Sequence, residues 1–158
     1  MKLNELLSIV IHSELNPKLW RDENSLRPEV HAGLLAIARE FYHSLDFDLP
    51  LKDIQITGSQ ANYAYSDYSD IDLHLIVDFR DVECDQPVEK MFDTARKLWK
   101  EHHDITIHDV PVEVYVEDEG KPVKGSTYSL LKDTWIKRLE HPNVDIDEPE
   151  IEAHTCLL

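Results

Sequence analysis

Two aspartates, two residues apart, are the residues of this chain best suited to bind a metal ion. Asp70 and Asp72 stand at the start of residues 71–79, whose β-branched and apolar residues predict a strand. Because side chains alternate between the two faces of a strand, both carboxylates project to one face and repel each other. A divalent cation removes that repulsion, and hard oxygen ligands suit Mg²⁺ or Mn²⁺.

A glycine-serine pair precedes these aspartates and offers complementary chemistry. Gly58 and Ser59 follow residues 53–57, which are predicted to form a strand, and precede a short helix expected at 59–62. Glycine lets a phosphate approach the backbone closely, and amides at the start of a helix point at such an anion. The sequence therefore predicts a phosphate-binding turn beside a metal site.

The spacing of these two motifs carries a family resemblance. Gly58-Ser59, ten residues and then Asp-Ile-Asp-Leu resemble the signature of the DNA polymerase β-like nucleotidyltransferase superfamily. The likeness is closest to the minimal nucleotidyltransferases, with Gly-Ser-x-Ala, which ends here at Ala61, and Ser-Asp-Ile-Asp-Leu at 69–73. This resemblance covers roughly residues 52–117. The whole chain also resembles, more weakly, nucleotidyltransferase-like proteins of tailed bacteriophages, which implies action in a host cytoplasm.

The resemblance implies a metal-dependent transferase. Such an enzyme moves a nucleoside monophosphate from a nucleoside triphosphate such as ATP to a hydroxyl or phosphate of a protein, RNA or small molecule, and releases pyrophosphate. Two Mg²⁺ or Mn²⁺ ions about 4 Å apart stabilise the attacking and leaving oxygens. Asp70 and Asp72 are expected to bind both ions, and Gly58 and Ser59 to hold the triphosphate.

A third carboxylate from a neighbouring strand completes the site that the resemblance implies. It holds the catalytic metal and helps deprotonate the acceptor hydroxyl. Glu113 is the first candidate, because it lies between two valines in a predicted strand at 112–116. Glu117 shares its face by the same two-residue period and is the second candidate.

Several nearby residues keep two interpretations each. Ser69 contacts phosphate or caps a turn. Asn62 contacts phosphate or sugar, although a structural role in the loop is favoured. Tyr63, Tyr65 and Tyr68 stack on a base or, as is more common, pack on the core or form a partner surface.

The sequence alone does not identify every residue that supports the proposed metal and phosphate site. His74 follows Asp72 on the same face, and either supports a ligand or, as we favour, is an ordinary strand histidine with its own partner. Five lysines are candidates to reach a triphosphate: Lys97, Lys100, Lys121, Lys124 and Lys132.

Composition limits the partners. The net charge of −16 disfavours long duplex DNA, whose binding depends on lysine and arginine, so a protein or small-molecule acceptor is favoured. No apolar run reaches the ~20 residues that span a bilayer, and the N-terminus does not have the pattern of a signal peptide. Cys84 and Cys156 are expected to be free thiols in a reducing cytoplasm.

The predicted fold is α+β: a small mixed sheet with the acidic site on one face and helices packed on the other. The 158 residues are enough for one domain, expected at 1–140. Its predicted parts are helices at 3–14, 27–45 and 88–102, the core at 52–117, a hairpin at 127–137 and, beyond it, an extended or disordered acidic tail at 141–158.

Two further hypotheses remain open beside the enzyme. The first is a nucleotidyltransferase-shaped binding module with weak or no catalysis. It is favoured by the acidic balance and by Asn62-Tyr63, which stand where the minimal enzymes often have Arg-Gly. The second is action with a protein partner, which the resemblance implies because minimal nucleotidyltransferases work beside helical toxin subunits.

Overall fold

The computed structural model describes residues 11–45, 48–82 and 87–140. These residues form an α+β fold with two helices, a six-stranded mixed sheet and two short 3₁₀ turns. The helices are α1 (Pro28–Ser44) and α2 (Val88–His102), the strands are β1 (Asp53–Thr57), β2 (Ile71–Val77), β3 (Thr106–Ile107), β4 (Val110–Asp118), β5 (Thr127–Ser129) and β6 (Thr134–Lys137), and the 3₁₀ turns are Ser59–Ala61 and Phe79–Asp81.

Both long helices lie within a residue of the bounds predicted for them. Helix α1 begins at Pro28, whose fixed φ suits the first helical position. Its apolar stripe is buried, with Val30, Leu34 and Phe41 fully enclosed. Helix α2 buries Phe92 and Trp99, and the Trp99 ring meets Phe41 edge to face at 5.3 Å between centroids.

The strands lie in the order β3-β4-β2-β1-β5-β6. Strands β2 and β4 are parallel, and the connection between them contains α2 and the short strand β3. The remaining neighbours are antiparallel. The pair β5 and β6 forms the hairpin predicted at 127–137.

The two faces of the sheet differ in polarity. Ile56, Leu73 and Val114 point into the core with the helices, whereas Asp72 and Glu113, each one position away along its strand, point to the other face. The predicted separation of an acidic face from a helix-covered face is therefore confirmed. In the described residues, neither helix is long and apolar enough to cross a membrane.

Some predictions concern residues that the structure does not describe. The helix predicted at 3–14 lies mostly outside the described residues, and its described part, 11–14, is not helical. Cys84, Cys156 and the tail at 141–158 also lie outside them. The turn between β3 and β4 consists of His108 and Asp109, both with positive φ (48° and 67°), as a two-residue hairpin turn requires.

Candidate functional site

Three predicted acids meet on the exposed face of the sheet. Asp72 of β2 lies directly opposite Glu113 of β4 in the parallel register, and Asp70 precedes Asp72 by two residues. All three carboxylates are partly buried. We call Asp70, Asp72 and Glu113 the acid cluster.

The three acids influence one another electrostatically. Burial raises the pKa of Asp70, and the Glu113 carboxylate raises it further, while Lys100 opposes the change. Burial also raises the pKa of Asp72, which His74 lowers and Asp70 and Glu113 raise. Like charges close together favour the protonated carboxyl, so positive charge placed near the acid cluster would stabilise the ionised forms.

Part of that charge comes from helix α2. Lys100 donates a hydrogen bond from Nζ to Oε1 of Glu113, and Nη1 of Arg96 lies 3.7 Å from Oε2. The hydrogen bond with Glu113 raises the pKa of Lys100. Within residues 11–45, 48–82 and 87–140, no three His, Cys, Asp or Glu side chains are gathered around one point as metal ligands.

The turn at Gly58 packs directly against Asp72. Its φ of 79° and ψ of −167° suit glycine alone. A Cβ at this position would lie 2.4 Å from Oδ2 of Asp72. The missing side chain thus allows the carboxylate of Asp72 to rest against the turn, and it joins the predicted Gly-Ser motif to the acid cluster.

Ser59 and Ser69 bind each other. The Ser59 hydroxyl donates to Oγ of Ser69 at 2.8 Å, and the backbone N–H of Ser66 donates to the same oxygen at 2.8 Å. The Ser69 hydroxyl therefore caps the turn, and its contact with phosphate stays a prediction. Asn62 accepts a hydrogen bond from the N–H of Ala64 at 2.7 Å, a contact within the loop, and its contact with phosphate or sugar stays a prediction.

Gln60 ties the turn to the chain before α1. It is 1% exposed. Its side-chain oxygen accepts from Asn16 at 3.0 Å, its carbonyl accepts from Trp20 Nε1 at 2.8 Å, and its Nε2 donates to the carbonyl of Ser69 at 3.1 Å. This residue could not be identified from the sequence, since an isolated glutamine gives no signal of burial.

Two of the three loop tyrosines are structural. Tyr63 is buried and its hydroxyl donates to Glu23. Tyr65 is buried and its ring stacks on His12 at 3.8 Å between centroids. Tyr68 is 52% exposed. Packing on the core, the more common interpretation, therefore holds for Tyr63 and Tyr65.

Glu117 is placed too far along β4 to replace Glu113. It pairs with Ile76 in the register, four residues beyond Asp72, or about 13 Å at ~3.3 Å per residue. Its Oε2 lies 2.7 Å from Nδ1 of His74. His74 is thus a strand histidine with its own partner, as favoured, and Glu113 is the acid beside the aspartates.

Two clefts lie beside β2 and β4; His74 and Glu117 line both of them, and none of the three acids of the cluster lines either. One, of about 470 Å³, has the Gly58–Ser59 turn and Asn62 on one wall and the β4–β5 loop, with Lys121 and Lys124, on the other. Its volume is within the range of small-molecule sites. In the described residues neither lysine has a carboxylate within 4 Å, whereas Lys97 pairs with Asp93 at 3.0 Å.

The second cleft, of about 940 Å³, lies between α2 and the C-terminal half of β4. Arg96 and Tyr115 are in its wall, and the Arg96 guanidinium lies over the Tyr115 ring at 4.6 Å from the centroid. Arg96 also was missed from the sequence. The only signal was the four-residue spacing from Lys100, which places both on one side of α2.

No protein-family model, curated protein or solved structure matches this chain. Function is therefore inferred from the side chains and their arrangement.

Proposed function

We propose that this protein is a metal-dependent nucleotidyltransferase with a polymerase β-like fold. The observation that carries the proposal is the register of β2 and β4, which sets Glu113 opposite Asp72 while Gly58 packs against that aspartate. Three acids and a Gly-Ser turn that are separate in sequence therefore adjoin.

The donor set fits Mg²⁺ or Mn²⁺. All the available donors are carboxylate oxygens, which these hard cations prefer. Burial raises the pKa of Asp70 and Asp72, and the neighbouring carboxylates of the acid cluster raise it further, so a divalent ion would relieve a repulsion already present. Joining the aspartates as a ligand requires Glu113 to leave Lys100 and Arg96.

In the proposed reaction an acceptor oxygen bonds to the α-phosphorus, and the bond from that phosphorus to the bridging oxygen of pyrophosphate breaks. Bound divalent ions supply the charge that stabilises the attacking and leaving oxygens. Asp70 and Asp72 would hold those ions, and Glu113 would accept the proton of the acceptor hydroxyl. The turn at Gly58 and Ser59, with Lys121 and Lys124 across the first cleft, binds the triphosphate.

The test is transfer of label from α-labelled nucleoside triphosphates with Mg²⁺ or Mn²⁺, using the protein and a cell extract as sources of acceptor. Asp70→Asn and Asp72→Asn are expected to abolish transfer. Asp67→Asn is the matched control, because it removes one exposed carboxylate of the same loop. Equal labelling by wild type and both aspartate variants would refute the enzyme.

A catalytically silent binding module is the second candidate. It is favoured by the existing partners of the site: Glu113 bonds to Lys100, and Ser59 bonds to Ser69. Calorimetry separates the two functions. The enzyme should bind nucleotide only with a divalent ion, whereas the module needs none for its partner.

A further inference from the structure

Two cations on α2 converge on one carboxylate. Arg96 and Lys100 are four residues apart and so project from one side of the helix. Lys100 hydrogen-bonds to one oxygen of Glu113, and Arg96 lies 3.7 Å from the other. Within the described part of the chain, Glu113 is the acid that both cations reach.

The guanidinium of Arg96 is held in place independently of Glu113. Its Nε donates to Oδ1 of Asp93 at 3.0 Å, and the group lies over the ring of Tyr115. Its side chain is 22% exposed and borders the second cleft. A positioned guanidinium beside a lysine is a site for carboxylate or phosphate. Glu113 is its internal occupant.

The order of the elements gives this anion site a place in the proposed reaction. Gly58 directly follows β1, Asp70 and Asp72 lie at the start of β2, and Glu113 is on β4, the neighbour of β2 on the side away from β1. Arg96 and Lys100 of α2 reach Glu113. In-line displacement puts the attacking and leaving oxygens on opposite sides of the transferred phosphorus. Since the proposed pyrophosphate lies on the Gly58 side, the acceptor enters from the side of α2.

We infer that Arg96 and Lys100 bind an anionic group, a phosphate or a carboxylate, of the acceptor. The inference rests on the proposed function and narrows its acceptor to a molecule with a negative group near the reacting hydroxyl. Arrival of that group displaces Glu113 from the two cations and frees it to join Asp70 and Asp72.

Phosphate binding without metal or nucleotide tests the anion site directly. In metal-free buffer, inorganic phosphate is titrated into Glu113→Gln, in which the internal carboxylate is neutral, and binding is followed by ³¹P line broadening. Affinity is expected to rise at least tenfold over wild type. Adding Lys100→Gln should remove the gain, whereas adding Lys97→Gln, the same charge change on the same helix, should preserve it.

Two results would overturn the inference: equal phosphate affinity in wild type and Glu113→Gln, or equal loss with Lys97→Gln and Lys100→Gln. Thermal unfolding checks that each variant is folded. Acetate is titrated in parallel, and whichever anion binds more tightly identifies the group. Label transfer is read separately. If the variants bind phosphate as expected but no label is transferred, the transferase is refuted and the anion site is not. If label is transferred but the variants do not bind phosphate as expected, the anion site alone is refuted.

Discussion

Replacing Gly58 by alanine tests how the turn positions the acid cluster. The new Cβ would meet two obstacles. The backbone angles, φ 79° and ψ −167°, lie in a region nearly reserved for glycine, and occupying it costs a residue with a side chain about 1–3 kcal/mol. The Cβ would also stand 2.4 Å from Oδ2 of Asp72, which forces the carboxylate away from its rotamer at about 1 kcal/mol.

The expected loss of unfolding free energy for Gly58→Ala is therefore about 2–4 kcal/mol. At about 2–4 °C per kcal/mol for a chain of this size, the Tm should fall by roughly 4–16 °C. The measurement is thermal and urea unfolding in metal-free buffer. In an Asp72→Ala background the same change should cost about 1 kcal/mol less, because the contact with the carboxylate is gone while the backbone strain remains.

Gly125→Ala is the matched control. A Cβ at Gly125 meets no atom within 4 Å, and the backbone there lies outside the positive-φ region, so the change should alter stability by less than about 1 kcal/mol. If Gly58→Ala costs no more than Gly125→Ala, the turn does not pack against Asp72 as described. Strictly additive effects with Asp72→Ala would show that the contact contributes nothing.

Three further predictions concern single carboxylates. The folded-state pKa of Asp72 is raised, so the folded protein holds that proton more tightly than the unfolded chain does. Wild type should therefore lose stability relative to Asp72→Asn as the pH rises from about 4. Urea unfolding of both proteins at pH 4 and 7 measures this change, and the same stability difference at both pH values would contradict it. With acetate present to occupy Arg96 and Lys100, Glu113→Gln should weaken Mn²⁺ binding at least tenfold, or about 1.4 kcal/mol, by calorimetry, and Glu117→Gln should not; the reverse order would make Glu117 the third ligand. Asp53→Ala should lower stability by about 2–4 kcal/mol, because this buried carboxylate accepts from Ser129 Oγ at 2.7 Å and from a backbone N–H; Ser129→Ala should cost less, and equal stability of Asp53→Ala and wild type would refute the role.

The shared face of the acids was predictable because it depends on a local rule. Side chains in a strand alternate, so apolar Ile71 and Leu73 identify the face of Asp72, and two valines identify that of Glu113. Helix α1 was predictable for a similar reason, since its apolar stripe has helical period and a proline marks its start. These features need no knowledge of which elements become neighbours.

Other features depend on neighbours and could not be read from the chain. The register that sets Glu113 opposite Asp72 depends on the path of the connection between β2 and β4, which contains α2. No local sequence pattern encodes that path. The same crossover brings Arg96 and Lys100 to Glu113. The turn at His108 and Asp109 has positive φ without glycine, so the usual sequence signal for a two-residue turn was missing.

The hydrogen bonds of Gln60 make the Gly-Ser turn dependent on the stretch of chain before α1. Asn16 and Trp20 donate to oxygens of Gln60 that are shielded from water, and each oxygen deprived of its donor would cost about 1–3 kcal/mol. A chain excised to begin at Pro28 would lose both donors. Anyone who grafts the Gly-Ser turn and its aspartates onto another scaffold must therefore carry the stretch before α1 along with them.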